Sequence, residues 1–449
     1  MLALALGLAL SLVAIDASWA TAHAVLLRST PSPRQSLSQP PPRVTLLFSE
    51  PIDPVFSSVR ILDANNQRVD LADSHVDPND DHQLVASLRP GLTNGIYAVN
   101  WRSLSTIDVH PDQGQFPLFV GVPVTNDFVA ANPANETTAT PATTFGRWWF
   151  YVAASFFGGV LATWKLVLSG VLVEQHADVR GAIRRRMHRL IVLGGVLLVL
   201  GTLFTALAQA AAAADLPLAS AFGQPLADLL LRGRFASIWW PRLGLEVTSL
   251  VLIAFGGLEG LAADCALATL PAVLLTSSLT SHGAALSTGT GPGILIDWLH
   301  IVGATAWVGG LLSMLLVLPS AQRASNAGLV VRLLARFGRF ALAAAALVVL
   351  SGTLQAAFEL GTWSALIETL YGRLVLLKIG LLAAMLLVAV FNDWRGRRSA
   401  SEVSGLRRGV RAEFALGVVV LAIAAVLSGT PPNREAGPSP LASQQTSQR

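Results

Sequence analysis

The sequence has only one cysteine, Cys265, which excludes an internal disulfide framework and any metal site built from several thiolates. No methionine lies between residues 2 and 186, so this region offers a soft metal no thioether ligand. Charged residues make up 13% of the 449 residues, and hydrophobic residues make up 53%. A chain this poor in charge is too apolar for a soluble enzyme, and its composition indicates an integral membrane protein.

Long apolar segments fill the chain from residue 147 onward. Each is long enough to cross a bilayer as a helix, which takes roughly 18 or more apolar residues. We predict eight spans, at about 147–173, 188–213, 238–258, 261–281, 294–318, 339–360, 371–392 and 413–430. The second half of the chain is therefore predicted to be an all-α polytopic membrane bundle.

The arginines indicate how these spans are oriented. Loops 174–189, 319–339 and 393–412 are rich in arginine, whereas segments 282–293 and 361–370 contain none. Cytoplasmic loops are enriched in arginine and lysine, so the first set is predicted to be cytoplasmic. The N-terminal region and the tail at 431–449 then lie outside. This clustering also explains the net charge of +4 by membrane topology, so we expect no nucleic-acid partner.

The chain begins with an apolar run from Met1 to Ala17, followed by Ala20-Thr21-Ala22. Small residues at this spacing predict a signal peptide over residues 1–22, cleaved after Ala22. His23 would then carry both a free amine and an imidazole, which together can close a chelate ring around a metal. The alternative is an N-terminal membrane anchor with His23 as an ordinary surface residue.

Residues 23–121 differ in kind from the rest of the chain. Short alternating stretches such as RVTLLFSE (43–50) and GIYAVNWRSL (95–104) are separated by clusters of Pro, Gly, Asn and Asp. Strands at this spacing with turns between them predict an all-β sandwich of the Ig-like or cupredoxin-like kind. Residues 122–146 lack periodicity and are predicted to be an extended linker to the membrane domain at 147–430.

The stretch SLSTIDVHPDQGQF (103–116) carries a candidate metal site. Asp108 and His110 are two residues apart, so on an extended segment both project to the same face. Joined by the amine and imidazole of His23, they form a nitrogen- and oxygen-donor set that suits tetragonal Cu(II). An isolated Asp-x-His pair is more often a solvated surface feature, so this prediction depends on His23.

Ionisable residues inside apolar spans are costly and indicate function by default. His282 ends the fourth predicted span, and Asp297 and His300 open the fifth. Residues three apart share a helix face, so Asp297 could orient the imidazole of His300 or join it as a metal ligand. The alternatives are an interfacial His282 and a purely structural Asp297–His300 pair. Lys378, within the seventh span, needs a carboxylate or carbonyl partner.

Two groups of motifs resemble known families. AHAVLLRSTPSP, VTLLFSEPID and the segment 95–120 are together similar to the CopC family of periplasmic copper-binding sandwiches. That resemblance implies His23, Asp108 and His110 as Cu(II) ligands; the chain departs from it at Val109, where the family often has glycine. SHGAA, DWLHIVGATAWVGGLL, SGTLQA (351–356) and YGRLVLLK (371–378) resemble the CopD family of eight-span copper-transport proteins. The chain is thus identified as a CopC–CopD fusion.

The resemblance implies copper handling at the bacterial cytoplasmic membrane. The sandwich would capture Cu(II) and deliver it to a site near His282, Asp297 and His300, from which the helices pass it inward, and other periplasmic copper carriers are candidate partners. No ATP-binding motif is visible, and we predict a transporter rather than an enzyme. Two alternatives remain open: a membrane redox protein that binds haem or reduces Cu(II) through His188, His282 and His300, and a copper sensor or buffer without transport.

Overall fold

The computed structural model describes residues 24–107, 109–125, 140–281, 290–323, 327–360, 364–398 and 403–430. His23, Asp108 and His282 therefore lie outside the described residues, as do the predicted signal peptide and the tail. Asp297, His300 and His110 are described.

The N-terminal region is a β-sandwich of two four-stranded sheets, with strand orders β1-β3-β6-β5 and β2-β8-β7-β4. Alternating apolar residues of both sheets, among them Leu46, Ile61, Val99 and Leu118, are completely buried between them. The predicted sandwich is therefore confirmed. The strands are β1 (Leu26–Thr30), β2 (Ser36–Leu37), β3 (Arg43–Phe48), β4 (Ser58–Leu62), β5 (His75–Asp77), β6 (Asp80–Ser87), β7 (Gly95–Leu104) and β8 (Pro111–Val120).

The rest of the described chain is helical. Eight of its helices are long and apolar enough to cross a membrane, which confirms the predicted polytopic bundle. The helices are α1 (Pro141–Leu172), α2 (Ala177–Ala214), α3 (Gln224–Leu231), α4 (Gly233–Gly256), α5 (Gly260–Ser278), α6 (Thr290–Arg323), α7 (Ala327–Leu360), α8 (Ala365–Glu368), α9 (Leu370–Arg398) and α10 (Val403–Leu427). All except the short α3 and α8 are candidate spans.

The first span begins at Pro141, before the predicted start at 147. Thr140 adopts an extended conformation and its side chain accepts a hydrogen bond from the backbone N–H of Thr143, which caps the helix. Proline is favoured at the first helical position because its missing N–H would have no partner there. The linker predicted to extend to 146 therefore ends before Pro141, because this cap lies upstream of the apolar run.

Helices α1 and α6 pack backbone to backbone at two glycines. A Cβ atom added to Gly309 would lie 2.3 Å from the carbonyl oxygen of Ser155, and one added to Gly159 would lie 2.1 Å from that of Thr305. Only glycine permits this approach, since any side chain would collide with backbone. The two helices form the centre of the bundle, where Trp164 and Phe157 are also buried.

The sandwich is docked on one end of the helical domain through β7 and the segment that follows it. The Arg102 guanidinium donates a 2.6 Å hydrogen bond to the carbonyl of Ala212 at the end of α2 and lies 3.9 Å from the Asp215 carboxylate. Burial lowers the pKa of Arg102, and the nearby Asp215 carboxylate opposes that shift. The Gln209 side-chain amide donates to the carbonyl of Val109. This face of the sandwich is thus fixed to the end of α2.

Candidate functional site

The segment that carries Asp108 and His110 connects β7 to β8. It closes between Leu104 and Pro111, which pair across the antiparallel ladder. Ser105 anchors its start, because its buried hydroxyl donates a 2.5 Å hydrogen bond to the Glu50 carboxylate and accepts one from the N–H of Ile107. Ser105 therefore positions the loop between the strands.

Val109 adopts a left-handed backbone conformation, with φ of 61°. This conformation is unfavourable for a β-branched residue and easy for glycine, which is the residue that the CopC resemblance leads one to expect here. The Val109 side chain is buried against Leu104 and Ala213, and its carbonyl accepts from Gln209. Contacts with the helical domain therefore help to hold the segment in this shape.

His110 lies at the contact between the two domains and is only 4% exposed. Its Nε2 atom is 3.1 Å from the carbonyl oxygen of Ser428, just after α10, and 3.0 Å from an Nη atom of Arg147 on α1. An arginine can only donate and a carbonyl can only accept, so the two contacts require different tautomers of the imidazole. His110 thus contacts the first helix of the helical domain and the residues that follow its last helix.

Ala24, the residue after His23, lies close to the loop that carries His110. The hydroxyl of Ser103 donates a 3.3 Å hydrogen bond to the carbonyl of Ala24, which is completely buried. Ser103 is next to Leu104, the residue that closes the Asp108–His110 segment. The described part of the N-terminus therefore leads directly to this loop.

Below His110 is a cavity of about 90 Å³, which we call the chamber. It lies between the sandwich and the outer ends of the helices, and its lining includes His110, Arg147, Tyr151, Arg242, Ser281 and Ser428. The volume exceeds the roughly 15 Å³ that one water needs, so it can hold several waters or a small polyatomic ion.

Within the helical domain, Asp297 is buried at the start of α6. Its Oδ1 atom accepts a 3.1 Å hydrogen bond from the amide of Gln355 on α7, and its Oδ2 atom has no hydrogen-bond partner among the described residues. Gln355 also donates to Glu359 at 3.3 Å, and Glu359 accepts from the hydroxyl of Tyr371 on α9. Three helices therefore share one buried polar network.

His300 lies in a neighbouring polar cluster, which Lys378 connects to this network through its electrostatic interactions with Glu359 and Asp297. Its Nδ1 atom lies 3.1 Å from the carbonyl of Val348 and 3.2 Å from the hydroxyl of Ser351, and its Nε2 atom lies 3.3 Å from the Lys378 ammonium. Since an ammonium only donates, Nε2 accepts and Nδ1 carries the hydrogen. Gly352 leaves room for the ring, because a Cβ there would lie 2.9 Å from it.

The predicted pairing of Asp297 with His300 is absent from the described contacts, which connect Asp297 to Gln355 and His300 to Lys378. Lys378 contacts the imidazole of His300 by a hydrogen bond, and the Glu359 and Asp297 carboxylates attract its ammonium electrostatically, as the expected carboxylate partner requires. Nor does any group of three His, Cys, Asp or Glu side chains in the described part of the chain stand close enough to hold a metal.

Sequence reasoning missed Ser351, Gln355, Glu359 and Tyr371 as members of the network. The sequence does contain a signal for them, because SGTLQA, YGRLVLLK and DWLHIVGATAWVGG are motifs of the CopD resemblance. Each of these motifs contributes members to the network. Glu359 is also a carboxylate inside a predicted span, and the same rule that selected Asp297 applies to it.

Comparison with known proteins gives a family match in each of the two parts of the chain, the sandwich and the helical domain. The CopC domain family matches residues 26–121, and the family Copper resistance protein D (CopD) matches residues 331–427. The Bacillus subtilis protein named Copper transport protein CutJ is 28% identical over 429 residues, which cover 93% of this chain and 76% of that protein.

Two further similarities concern the sandwich alone. Protein YobA of Escherichia coli K12 is 29% identical over 99 residues, which cover 22% of this chain and 79% of that protein. The crystal structure of CopC from Methylosinus trichosporium OB3b is 28% identical, covers 24% of this chain and 100% of its own, and superposes with a TM-score of 0.21. The resemblance stated from the motifs is confirmed: the CopC and CopD family models both match within this single polypeptide.

Proposed function

We propose that this protein captures Cu(II) outside the bacterial cytoplasmic membrane and transports it inward. The ligands of capture are His23, Asp108 and His110, and the receiving site in the membrane is formed by His282, Asp297 and His300. The family names, and the name of the Bacillus subtilis relative, support copper transport or resistance. The proposed arrangement is a signal peptide at 1–22, a sandwich at 23–121, a membrane domain that ends near 430 and an extracytoplasmic tail at 431–449.

The observation that carries the proposal is the position of His110. This side chain belongs to the sandwich, yet it lines the chamber together with residues of the helical domain. A copper ion released from His110 would therefore enter a space bounded by the membrane helices rather than bulk solvent. Ala24 supports His23 as a co-ligand, because its carbonyl is tied to Ser103 beside the His110 loop.

The chamber also extends toward the proposed receiving site. Ser281, which lies on its wall, directly precedes His282 in the chain. Ser278 and Ser281 interact with the Asp297 carboxylate. These serine hydroxyls lie near the carboxylate but do not meet hydrogen-bond geometry at its Oδ2 atom, which is therefore a hard oxygen donor for an arriving cation.

Lys378 affects how tightly the proposed receiving site can bind copper. Its ammonium occupies the Nε2 lone pair of His300, so copper can bind that nitrogen only when Lys378 moves away. Two cations near one imidazole repel each other, which makes a bound ion easier to release. A site that must release its ion is what transport requires, whereas a storage site favours tight binding.

The test is copper accumulation in bacterial cells that lack their own copy of the protein and express defined variants. We expect His110→Ala and Asp297→Asn to reduce the initial rate of copper uptake at least tenfold. The matched control is His75→Ala, because His75 is an exposed sandwich histidine bonded to the carbonyl of Asp73. Uptake by His110→Ala equal to that of the control would refute capture through His110.

The same assay separates the alternatives. A buffer or sensor would leave the uptake rate unchanged in His300→Ala. The redox alternative requires His188 as well as His300, and a haem bound by the purified protein would give a Soret band. His188 lies 2.9 Å from the carbonyl of Ile253, near the end of α4 opposite to the chamber. This placement does not favour a single haem shared by the two histidines.

A further inference from the structure

Arg242 is a buried cation whose donors are largely unused. The residue is only 9% exposed and lies on the wall of the chamber. Its single hydrogen bond with a described residue runs from Nε to the hydroxyl of Thr276, at 2.6 Å. Its Cζ atom lies 5.1 Å from the centre of the Phe150 ring, which contacts the face of the guanidinium and leaves its edge free.

The sequence suggests Glu246, one turn further along α4, as the partner of Arg242. In the structure, Glu246 instead accepts a 2.8 Å hydrogen bond from the hydroxyl of Thr202 through Oε1. Its Oε2 atom has no hydrogen-bond partner among the described residues, so Glu246 attracts the guanidinium electrostatically without a hydrogen bond between the two side chains. The N–H groups on both Nη atoms of Arg242 thus remain available to a ligand.

Other residues on the chamber wall are also positively charged or polar. Arg147 adds a second cation to the lining, and Tyr151 and Ser277 are lining residues that carry hydroxyls. No aspartate or glutamate lines the chamber among the described residues. A buried guanidinium edge, a second cation and neighbouring hydroxyls are the donor set that binds carboxylate or phosphate oxygens.

We propose that the chamber is a binding site for a small oxyanion, held by the guanidinium of Arg242 with help from Ser277 and Arg147. The anion supplies the acceptor oxygens that Arg242 lacks within the protein. The anion is held by groups other than the proposed copper ligands, although His110 lines the same chamber and contacts Arg147, and its binding does not depend on transport of copper. If copper does pass from His110 through the chamber, the anion would offset the two positive charges that otherwise repel it.

The experiment measures phosphate binding to the full-length, copper-free protein in a neutral detergent, by isothermal titration calorimetry at constant ionic strength. We expect saturable binding of inorganic phosphate that weakens at least tenfold in Arg242→Gln, because a charge-assisted bidentate contact is lost. Arg234→Gln is the matched control, since Arg234 is an exposed arginine on the same helix. It should bind phosphate as the wild type does.

Two milder variants keep the proposal testable if Arg242→Gln folds poorly. Arg242→Lys retains the charge without the planar fork and should lie between the wild type and Arg242→Gln. Ser277→Ala should weaken binding several-fold. Absence of saturable phosphate binding by the wild type, or equal affinity in all variants, would overturn the proposal. Either result would leave the copper assay unaffected, because no copper is present.

A lipid headgroup is a second source of the same chemistry. The titration is therefore repeated in nanodiscs of phosphatidylcholine with and without phosphatidylglycerol. Weaker phosphate binding in the presence of phosphatidylglycerol would identify an anionic headgroup as the occupant of the site. Equal binding in both nanodiscs would identify a free ion.

Discussion

Arg147 should weaken the hold of the sandwich on copper while the two domains are docked. Its guanidinium lies 3.0 Å from Nε2 of His110. If copper binds the other ring nitrogen, Nδ1, then Nε2 must carry the hydrogen and donates it to the Ser428 carbonyl, 3.1 Å away. Arg147 can then no longer donate to the ring, and only its positive charge acts on the site. Replacing Arg147 by glutamine should therefore tighten Cu(II) binding.

The size of the effect follows from the distance. Across the imidazole, a metal on Nδ1 would lie about 7 Å from the guanidinium, and one aspartate ligand would reduce the net charge of the site to about +1. Coulomb's law then gives about 2 kcal/mol of repulsion at an effective dielectric constant of about 20, and about 0.6 kcal/mol in water. Between these limits, Arg147→Gln should lower the dissociation constant for Cu(II) about tenfold.

The assay is competition between a chromophoric chelator and the full-length protein for Cu(II), in detergent and at fixed pH. Arg43→Gln is the matched control, because Arg43 is exposed at the end of β3 remote from the site. An affinity of Arg147→Gln equal to that of this control, with His110→Ala still abolishing tight binding, would refute the electrostatic reasoning. Weaker binding in Arg147→Gln would show that Arg147 supports the site.

Two further predictions concern the helical domain. Gly309→Ala should destabilise the bundle by about 2 kcal/mol or more, because its Cβ would lie 2.5 Å from the Cα of Gly159. A thermal melt in detergent measures this loss of stability. Gly380→Ala is the control: its Cβ would meet nothing within 4 Å, so the melting temperature should be unchanged or slightly raised. Lys378→Met should free Nε2 of His300, so the purified protein should retain more copper and uptake in cells should be slower. Equal copper retention by wild type and variant would contradict the role assigned to the Lys378 ammonium.

Most of the architecture could be predicted because it depends on patterns that are local in sequence. The eight spans follow from apolar length, and the sandwich follows from two-residue alternation between turns. Span ends were less accurate, as α1 shows, because a cap such as Thr140 decides where a helix begins and apolar length alone does not reveal it. Glycines in apolar spans commonly permit close helix packing, and the approach at Gly309 follows that general tendency.

The polar network is harder to predict because it depends on which helix faces meet. Asp297 and His300 stand out in the sequence as ionisable residues in a span, but their partners lie on other helices, distant in sequence. Spacing along α6 suggested that the two side chains serve each other. Packing instead provides Gln355 and Lys378, and helical periodicity cannot show which neighbour lies closer.

Contacts between the sandwich and the helical domain stabilise the backbone conformation of Val109. Its left-handed backbone costs of order 1 kcal/mol or more for a β-branched residue, and a free sandwich would have to bear that cost alone. In the docked protein, burial of the side chain against Ala213 and the hydrogen bond from Gln209 offset it. A glycine at this position would adopt the same backbone freely but would lose the contact with Ala213. The valine therefore makes the backbone beside His110 depend on docking, so the same contacts that hold the domains together also help to set the position of this one proposed copper ligand.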